Sequence, residues 1–253
     1  MKSALTIAGS DPSGGAGIQA DLKVFQYYGV YGLSVVSALT AQNSGGVSGI
    51  MPVSGRFLRK QLSVLLDDIT PGATKTGMLY SEAAVEAVAR TVKKYSLANF
   101  VIDPVMLSST GRRLAEKGVP SAIRKKLLPL CTVVTPNIHE ASVLSDIPVR
   151  NKTDMERAAV RLIEYGARNA IITGGHLEKI ALDVFYDGTF HYLRGRKIPG
   201  EFHGTGCVFS AAITALLAEG HSLLKAAALA RAFMKRAFKR SFNGRAALRL
   251  FDL

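Results

Sequence analysis

ALTIAGSDPSGGAGIQADLK, residues 4–23, opens with an apolar run, breaks at Gly9 into a loop with four glycines between positions 9 and 17, and then becomes amphipathic. A short apolar run bounded by glycine reads as a buried strand, and the stretch after the loop reads as a helix. Strand, glycine loop and helix in that order form the unit from which parallel sheets are built.

The same alternation continues along the chain. Apolar runs at 4–9, 33–39, 73–77, 99–103, 131–135 and 169–173 predict strands. Between them, 16–28, 54–67, 81–95, 118–128, 138–145 and 153–166 predict helices, and helices at 205–219 and 222–240 are expected to close the chain without a further strand. The pattern predicts an α/β fold with a mainly parallel central sheet flanked by helices. Residues 181–198 differ, because Asp187-Gly188 sits between alternating apolar positions, which predicts a β-hairpin at an edge or a flap. With no repeat, linker or low-complexity tract, residues 1–253 are expected to form a single domain. A long loop is expected at 104–117, after a strand end, where ligands bind in open parallel sheets.

The 253 residues are 48% apolar and 20% charged, which excludes a disordered, collagenous or coiled-coil chain. Cys131 and Cys207 match no zinc or disulfide spacing, which points to a reducing, cytoplasmic compartment. With no run of 18 apolar residues, neither a membrane span nor a signal peptide is expected. The net charge is +13, and the 33 residues from His221 onward carry +7 of it. Arg231, Lys235, Arg236, Lys239 and Arg240 fall on one face of the last predicted helix, and a solvated face is the default expectation. No stacking aromatics are interleaved there, so nucleic-acid binding is a minor hypothesis.

Gly15, Gly17 and Ala20 fit the dinucleotide pattern GxGxxA, but no acidic residue lies between Asp21 and Asp67 to complete it. A phosphate-binding P-loop is excluded because Gly-Lys occurs nowhere. The sequence His203-Gly204-Thr205-Gly206-Cys207 opens a strongly apolar helix. Backbone N–H groups of such a turn form an anion site, suited to charge developing on a transferring phosphoryl group. The same field is expected to lower the Cys207 thiol pKa so that it can accept a proton, whereas Cys131 inside a strand is expected to be inert. Asn137 and Glu140, with Asp103 from another strand end, can gather around Mg²⁺. Asn137 and Glu140 also fit an ordinary helix cap. Thr173-Gly174-Gly175-His176 forms another strand-end loop that can border a nucleotide.

Together these stretches resemble the hydroxymethylpyrimidine/phosphomethylpyrimidine kinases of thiamine biosynthesis, within the ribokinase-like superfamily. The likeness covers residues 4–23, YGLSVVSALTAQN at 31–43, KTGML at 75–79, VIDPVM at 101–106, LLPLCTVVTPN with Glu140 at 127–140, GGHL at 174–177 and HGTGC at 203–207. The resemblance implies a three-layer ribokinase-like fold, ATP and Mg²⁺ as cofactors, and a homodimer. It implies phosphorylation of 4-amino-5-hydroxymethyl-2-methylpyrimidine and then of its monophosphate. It places the pyrimidine at Gly9, Asp21, Gln42, Met78 and Val105, and the phosphoryl oxygens at Gly204, Thr205 and Gly206. Cys207 is implied as the base, with Asn137, Thr173 and Gly175 at the nucleotide and Glu140 and Asp103 at the metal.

Two positions depart from the family pattern. Thr173 stands where the family commonly has a lysine that reaches the ATP phosphates, and Glu201-Phe202 stands where it usually has Asn-Thr. A pyridoxal kinase of the same fold, and a binding or sensing protein without catalysis, are the alternatives.

Overall fold

The computed structural model describes residues 2–175, 181–195, 197–244 and 248–252, without the Leu248 side chain. Strand β1 (Ser3–Ser10) is buried along almost its whole length, as its unbroken apolar run requires for a strand covered on both faces. It lies between β2 (Tyr31–Asn43) and β4 (Ala73–Thr76), parallel to both. The parallel order continues through β5 (Phe100–Ile102), β6 (Val133–Val134) and β7 (Ala170–Ile172).

Antiparallel strands finish both edges. On one side β3 (Gly46–Pro52) folds back on β2, and on the other β8 (Ala181–Tyr186) and β9 (Phe190–Gly195) form the expected Asp187-Gly188 hairpin on β7. The nine-strand order is β3-β2-β1-β4-β5-β6-β7-β8-β9. Strand β3 was not expected, although Ser44-Gly45 before GVSGIMP is a turn signal.

Period-two alternation splits the core into two halves. Leu5, Ile7, Phe100 and Ile102 face α2 (Gly55–Leu66), α3 (Glu82–Tyr95), α5 (Ile138–Ser145) and α6 (Lys152–Glu164). Ala4, Val101 and Val133 face α1 (Gly17–Tyr27), α7 (Thr205–Ala218) and α8 (Leu223–Lys239). Helix α7 is buried on every side from Val208 to Leu217, which is why its sequence is apolar all round. Helices on both faces of the sheet make the expected three layers.

Two expectations need correction. The helix expected at 118–128 is one α-helical turn, α4 (Val119–Ala122), followed by a π turn at 123–127 and a 3₁₀ turn at 128–130. Pro129 has no N–H with which to continue an α-helix. The chain also does not close on helices. Strand β10 (Glu201–Phe202) precedes α7, and β11 (Ser241–Asn243) and β12 (Leu248–Phe251) follow α8. They form a second small sheet of order β10-β12-β11, in which Phe202 stacks on Phe251 at 5.8 Å between ring centroids. No described helix is long and apolar enough to cross a membrane.

Leu162 on α6 is fully buried in the first half of the core. Leu162→Ala is expected to cost about 2–5 kcal/mol. It should appear as a lower urea midpoint with an unchanged slope, and a cost below 1 kcal/mol would contradict the packing described.

Candidate active site

The two glycine stretches meet at the carboxyl ends of the central strands. Gly204 has φ 78° and caps α7, and a Cβ there would stand 1.9 Å from the Gly15 carbonyl oxygen. Only glycine permits that approach. Helix α7 has no side-chain cap and no acidic residue in its first turn, so the N–H groups of Thr205, Gly206 and Cys207 remain available to an anion.

His203 ties three loops together. Its Nε2 lies 2.8 Å from Asp11 Oδ2, and its Nδ1 lies 3.0 Å from Ser109 Oγ in the 104–117 loop. A carboxylate can only accept, so Nε2 carries a proton toward Asp11. Asp11 also receives the Ser13 and Ala16 backbone N–H groups, which fixes the first glycine loop. Burial works against the Asp11 charge, but hydrogen bonds from His203 and Ser13 outweigh it and leave the carboxyl below its ordinary range. Gln42 stands 3.4 Å from the His203 ring. The space between Gln42, Val47, Ser108, Ser109, Thr110 and His203 is about 10 Å³, no more than one water requires.

The expected ring-binding residues are brought together in part. A Cβ on Gly9 would lie 3.0 Å from Met78 Sδ, and Met78 and Val105 pack in one small cluster with Ala38, Val47 and Leu114. Asp21 does not join them. It is fully buried, with Oδ2 accepting from the Thr6 hydroxyl at 2.6 Å and Oδ1 paired with Lys75 Nζ at 2.7 Å. Its carboxylate therefore faces Lys75, not the Gly9–Met78 surface.

Lys75 is the residue that sequence reasoning passed over, although a lysine inside the buried strand β4 was a visible anomaly. It is fully buried, 3.8 Å from Asp103 and 3.5 Å from the Cys207 carbonyl oxygen. Burial disfavours its charge, but Asp21 and Asp103 outweigh burial and keep it protonated. Asp103 Oδ2 accepts from Ser210 at 3.0 Å, and its Oδ1 lies 3.7 Å from the position of a Cβ on Gly206, toward the α7 turn.

The expected low thiol pKa of Cys207 is not what this environment produces. Burial and the neighbouring Asp103 charge push the thiol well above its ordinary value, and Lys75 offsets them only in part. The thiol thus stays protonated beside Asp103, whose carboxylate lies next to the first turn of α7. Burial, with two nearby carboxylates, outweighs the helix field on which the expectation rested. Cys131 is inert as expected, pushed up to about 12 by burial.

Asn137 and Glu140 form the reciprocal cap that was the alternative for this pair. The Glu140 N–H donates to Asn137 Oδ1 at 3.0 Å, and the Asn137 N–H donates to Glu140 Oε2 at 2.9 Å. Burial and then the Asp103 charge raise the Glu140 carboxyl from 4.5 to about 8. Among the described residues no cluster of three or more His, Cys, Asp or Glu is arranged to hold a metal. Asp103 and Glu140 nonetheless fit Mg²⁺, which binds through one or two carboxylates and keeps several waters, and a cation would relieve their repulsion.

Thr173 bridges to Asn137, and its N–H donates to the Pro136 carbonyl at 2.9 Å, so the two loops lie side by side. Gly175 faces open space, and His176 lies outside the described residues. The Gly174 N–H donates at 3.1 Å to Asp183, whose other oxygen pairs with Arg231 of α8. Arg231 thus leaves the solvated face on which it was expected, while Lys235, Arg236, Lys239 and Arg240 stay on it. Glu201 is exposed on β10.

The profile of the phosphomethylpyrimidine kinase family matches residues 11–248. The chain is 43% identical to the pyridoxine kinase of Bacillus subtilis, covering 96% of this chain and 92% of the relative. It is 38% identical to the hydroxymethylpyrimidine/phosphomethylpyrimidine kinase of the same organism, covering 95% and 90%. The thiamine biosynthesis bifunctional protein ThiED of Geobacter sulfurreducens is 43% identical over 94% of this chain, which spans only 49% of that relative's length. A crystal structure of an ADP complex of Bacillus subtilis pyridoxal kinase superposes with a TM-score of 0.91 at 40% identity, covering 99% of this chain and 96% of that one.

The raised Glu140 carboxyl has a consequence for stability. Folded protein holds a proton that unfolded protein releases above about 4.5, so Glu140 contributes most at low pH and loses its contribution as pH rises through about 8. Glu140→Gln keeps the cap acceptor and is expected to flatten the fall in stability between pH 5 and 8, measured by urea unfolding without divalent cations. Parallel curves for the two proteins would contradict the assignment.

Proposed function

The chain belongs to the phosphomethylpyrimidine kinase family, and on that footing we propose that it transfers the γ-phosphoryl group of ATP to 4-amino-5-hydroxymethyl-2-methylpyrimidine and then to the resulting monophosphate. The observation that carries this reading is the uncapped N-terminal turn of α7, which packs against the first glycine loop at Gly15 and has the buried Asp103 carboxylate beside Gly206.

In the first transfer the hydroxyl must lose a proton as its oxygen attacks phosphorus. A protonated thiol cannot take that proton unless it gives its own away, and the Asp103 carboxylate is its acceptor. The substrate proton therefore moves to sulfur as the thiol proton moves to Asp103, and ADP leaves. The backbone N–H groups at Gly204, Thr205 and Gly206 receive the equatorial phosphoryl oxygens. Lys75 keeps Asp103 and Asp21 from repelling the incoming phosphate. Asp103 and Glu140, with Asn137 beside them, would hold Mg²⁺, whose chemistry there is neutralisation of phosphate charge. Thr173 and Gly175 border the nucleotide, and Gly9, Gln42, Met78 and Val105 surround the ring. In the second transfer the attacking oxygen is already anionic, so the thiol has no proton to relay. The proposal treats the chain as one catalytic domain, active as a homodimer in a reducing compartment.

Phosphorylation of pyridoxal is the second reading, favoured by one observation: identity to the Bacillus subtilis pyridoxine kinase is 43%, against 38% for the pyrimidine kinase of that organism. Mg²⁺- and ATP-dependent ADP release with hydroxymethylpyrimidine, its monophosphate and pyridoxal, each alone, separates the two. Turnover of both pyrimidines is expected, and pyridoxal as the preferred substrate would favour the sister activity. No turnover with any of them, while the pyrimidine still binds, would leave a sensing protein. Cys207→Ala is expected to slow the first transfer by about 10²–10⁴-fold and the second by far less, and equal loss in both would remove the thiol from proton transfer.

A further inference from the structure

Between α2 and α3, among residues that take no part in the strand-end site, runs a groove of about 640 Å³. Arg56, Arg59 and Lys60 line it from α2, Arg90 and Lys94 from α3, and no acidic residue lines it. The α2 cations recur at three- and four-residue spacing on one face and confront those of α3. Arg90 pairs with Glu86 at 2.6 Å, but Glu86 is shared with Lys126. Lys94 lies over the Tyr95 ring and donates to its hydroxyl at 3.0 Å, and that hydroxyl in turn donates to Asp67. The side chains of Arg56, Arg59 and Lys60 have no polar partner among the described residues. Phe57, also on the groove, is 59% exposed.

Like charges facing each other across a concave surface repel, and they focus a positive potential that an anion would relieve. Arginine forks match phosphate oxygens in pairs. Arg56 and Lys60 are one turn apart, about 6 Å along the helix, so they reach linked phosphoryl groups better than a single one. Phe57 offers a bare ring for a flat heterocycle. We propose that this groove binds a multiply phosphorylated aromatic compound, of the class of nucleoside di- and triphosphates, as a site separate from the catalytic one. A nucleic-acid strand would need successive stacking aromatics, and the groove presents one uncommitted ring.

Equilibrium dialysis with ADP tests this on the full chain and on Arg56→Glu/Arg59→Glu/Lys60→Glu, whose three positions are exposed and lie outside the catalytic machinery. The wild type should bind two ADP per chain and the variant one, with the groove weakened about tenfold or more by the variant and also by high salt. ADP release under saturating substrates should be unchanged. Equal stoichiometry and affinity in the two proteins would overturn the proposal. One ADP in the wild type and none in the variant would uphold the groove and count against nucleotide binding at the strand ends, so the two failures are distinguishable. Phe57→Ala should weaken ADP more than inorganic triphosphate, and an equal effect would refute the ring contact. A single-stranded oligonucleotide that displaces groove-bound ADP at concentrations below those of ADP itself would overturn the assignment in favour of nucleic acid.

Discussion

One buried ammonium holds the active end of this fold together. Lys75 reaches up from the central strand β4 into a space that already contains Asp21 from α1, Asp103 from the end of β5 and the first turn of α7. Without it two carboxylates would share a dry interior beside a third, Glu140. Breaking a buried ion pair by removing one partner costs about 3–5 kcal/mol, because the other charge is left stranded. The same cation sets the local electrostatic balance. Burial pushes the Asp103 carboxyl above its ordinary range, and the ammonium offsets that rise in part.

Much of the framework was legible because it is written in short-range patterns. The buried strands appear as apolar runs, the Asp187-Gly188 hairpin as alternation around a turn, and the α7 turn as glycines before an apolar helix. Long-range consequences were not legible. The thiol of Cys207 was expected to ionise because a helix N-terminus lowers a thiol pKa. That inference holds for an isolated helix, whereas here burial, and after it Asp103 and Asp21 brought in from far away in sequence, reverse it. Asp21 was expected to face the ring, but a partner 54 residues away takes its charge. The sheet β10-β12-β11 was missed because its strands are two to four residues long and flank two helices, so no periodicity could develop.

The net charge also looks different in three dimensions. The C-terminal surplus is partly spent internally, since Arg231 neutralises Asp183 and through it orders Gly174 at the strand end. Arg240 pairs with Asp252. The cations left without polar partners in the α2–α3 groove lie in the first half of the chain, in a region the linear count made unremarkable.

Strand β12 pairs with β10 directly before the anion-binding turn, the His203 N–H donates to the Arg249 carbonyl at 3.0 Å, and Leu250 packs against Gly15. The turn at Gly204 is therefore braced by residues synthesised more than forty positions later. The glycine turn is thus held by a strand pairing that its own local sequence does not contain, so a change in β12 would be felt at Gly204 without touching it.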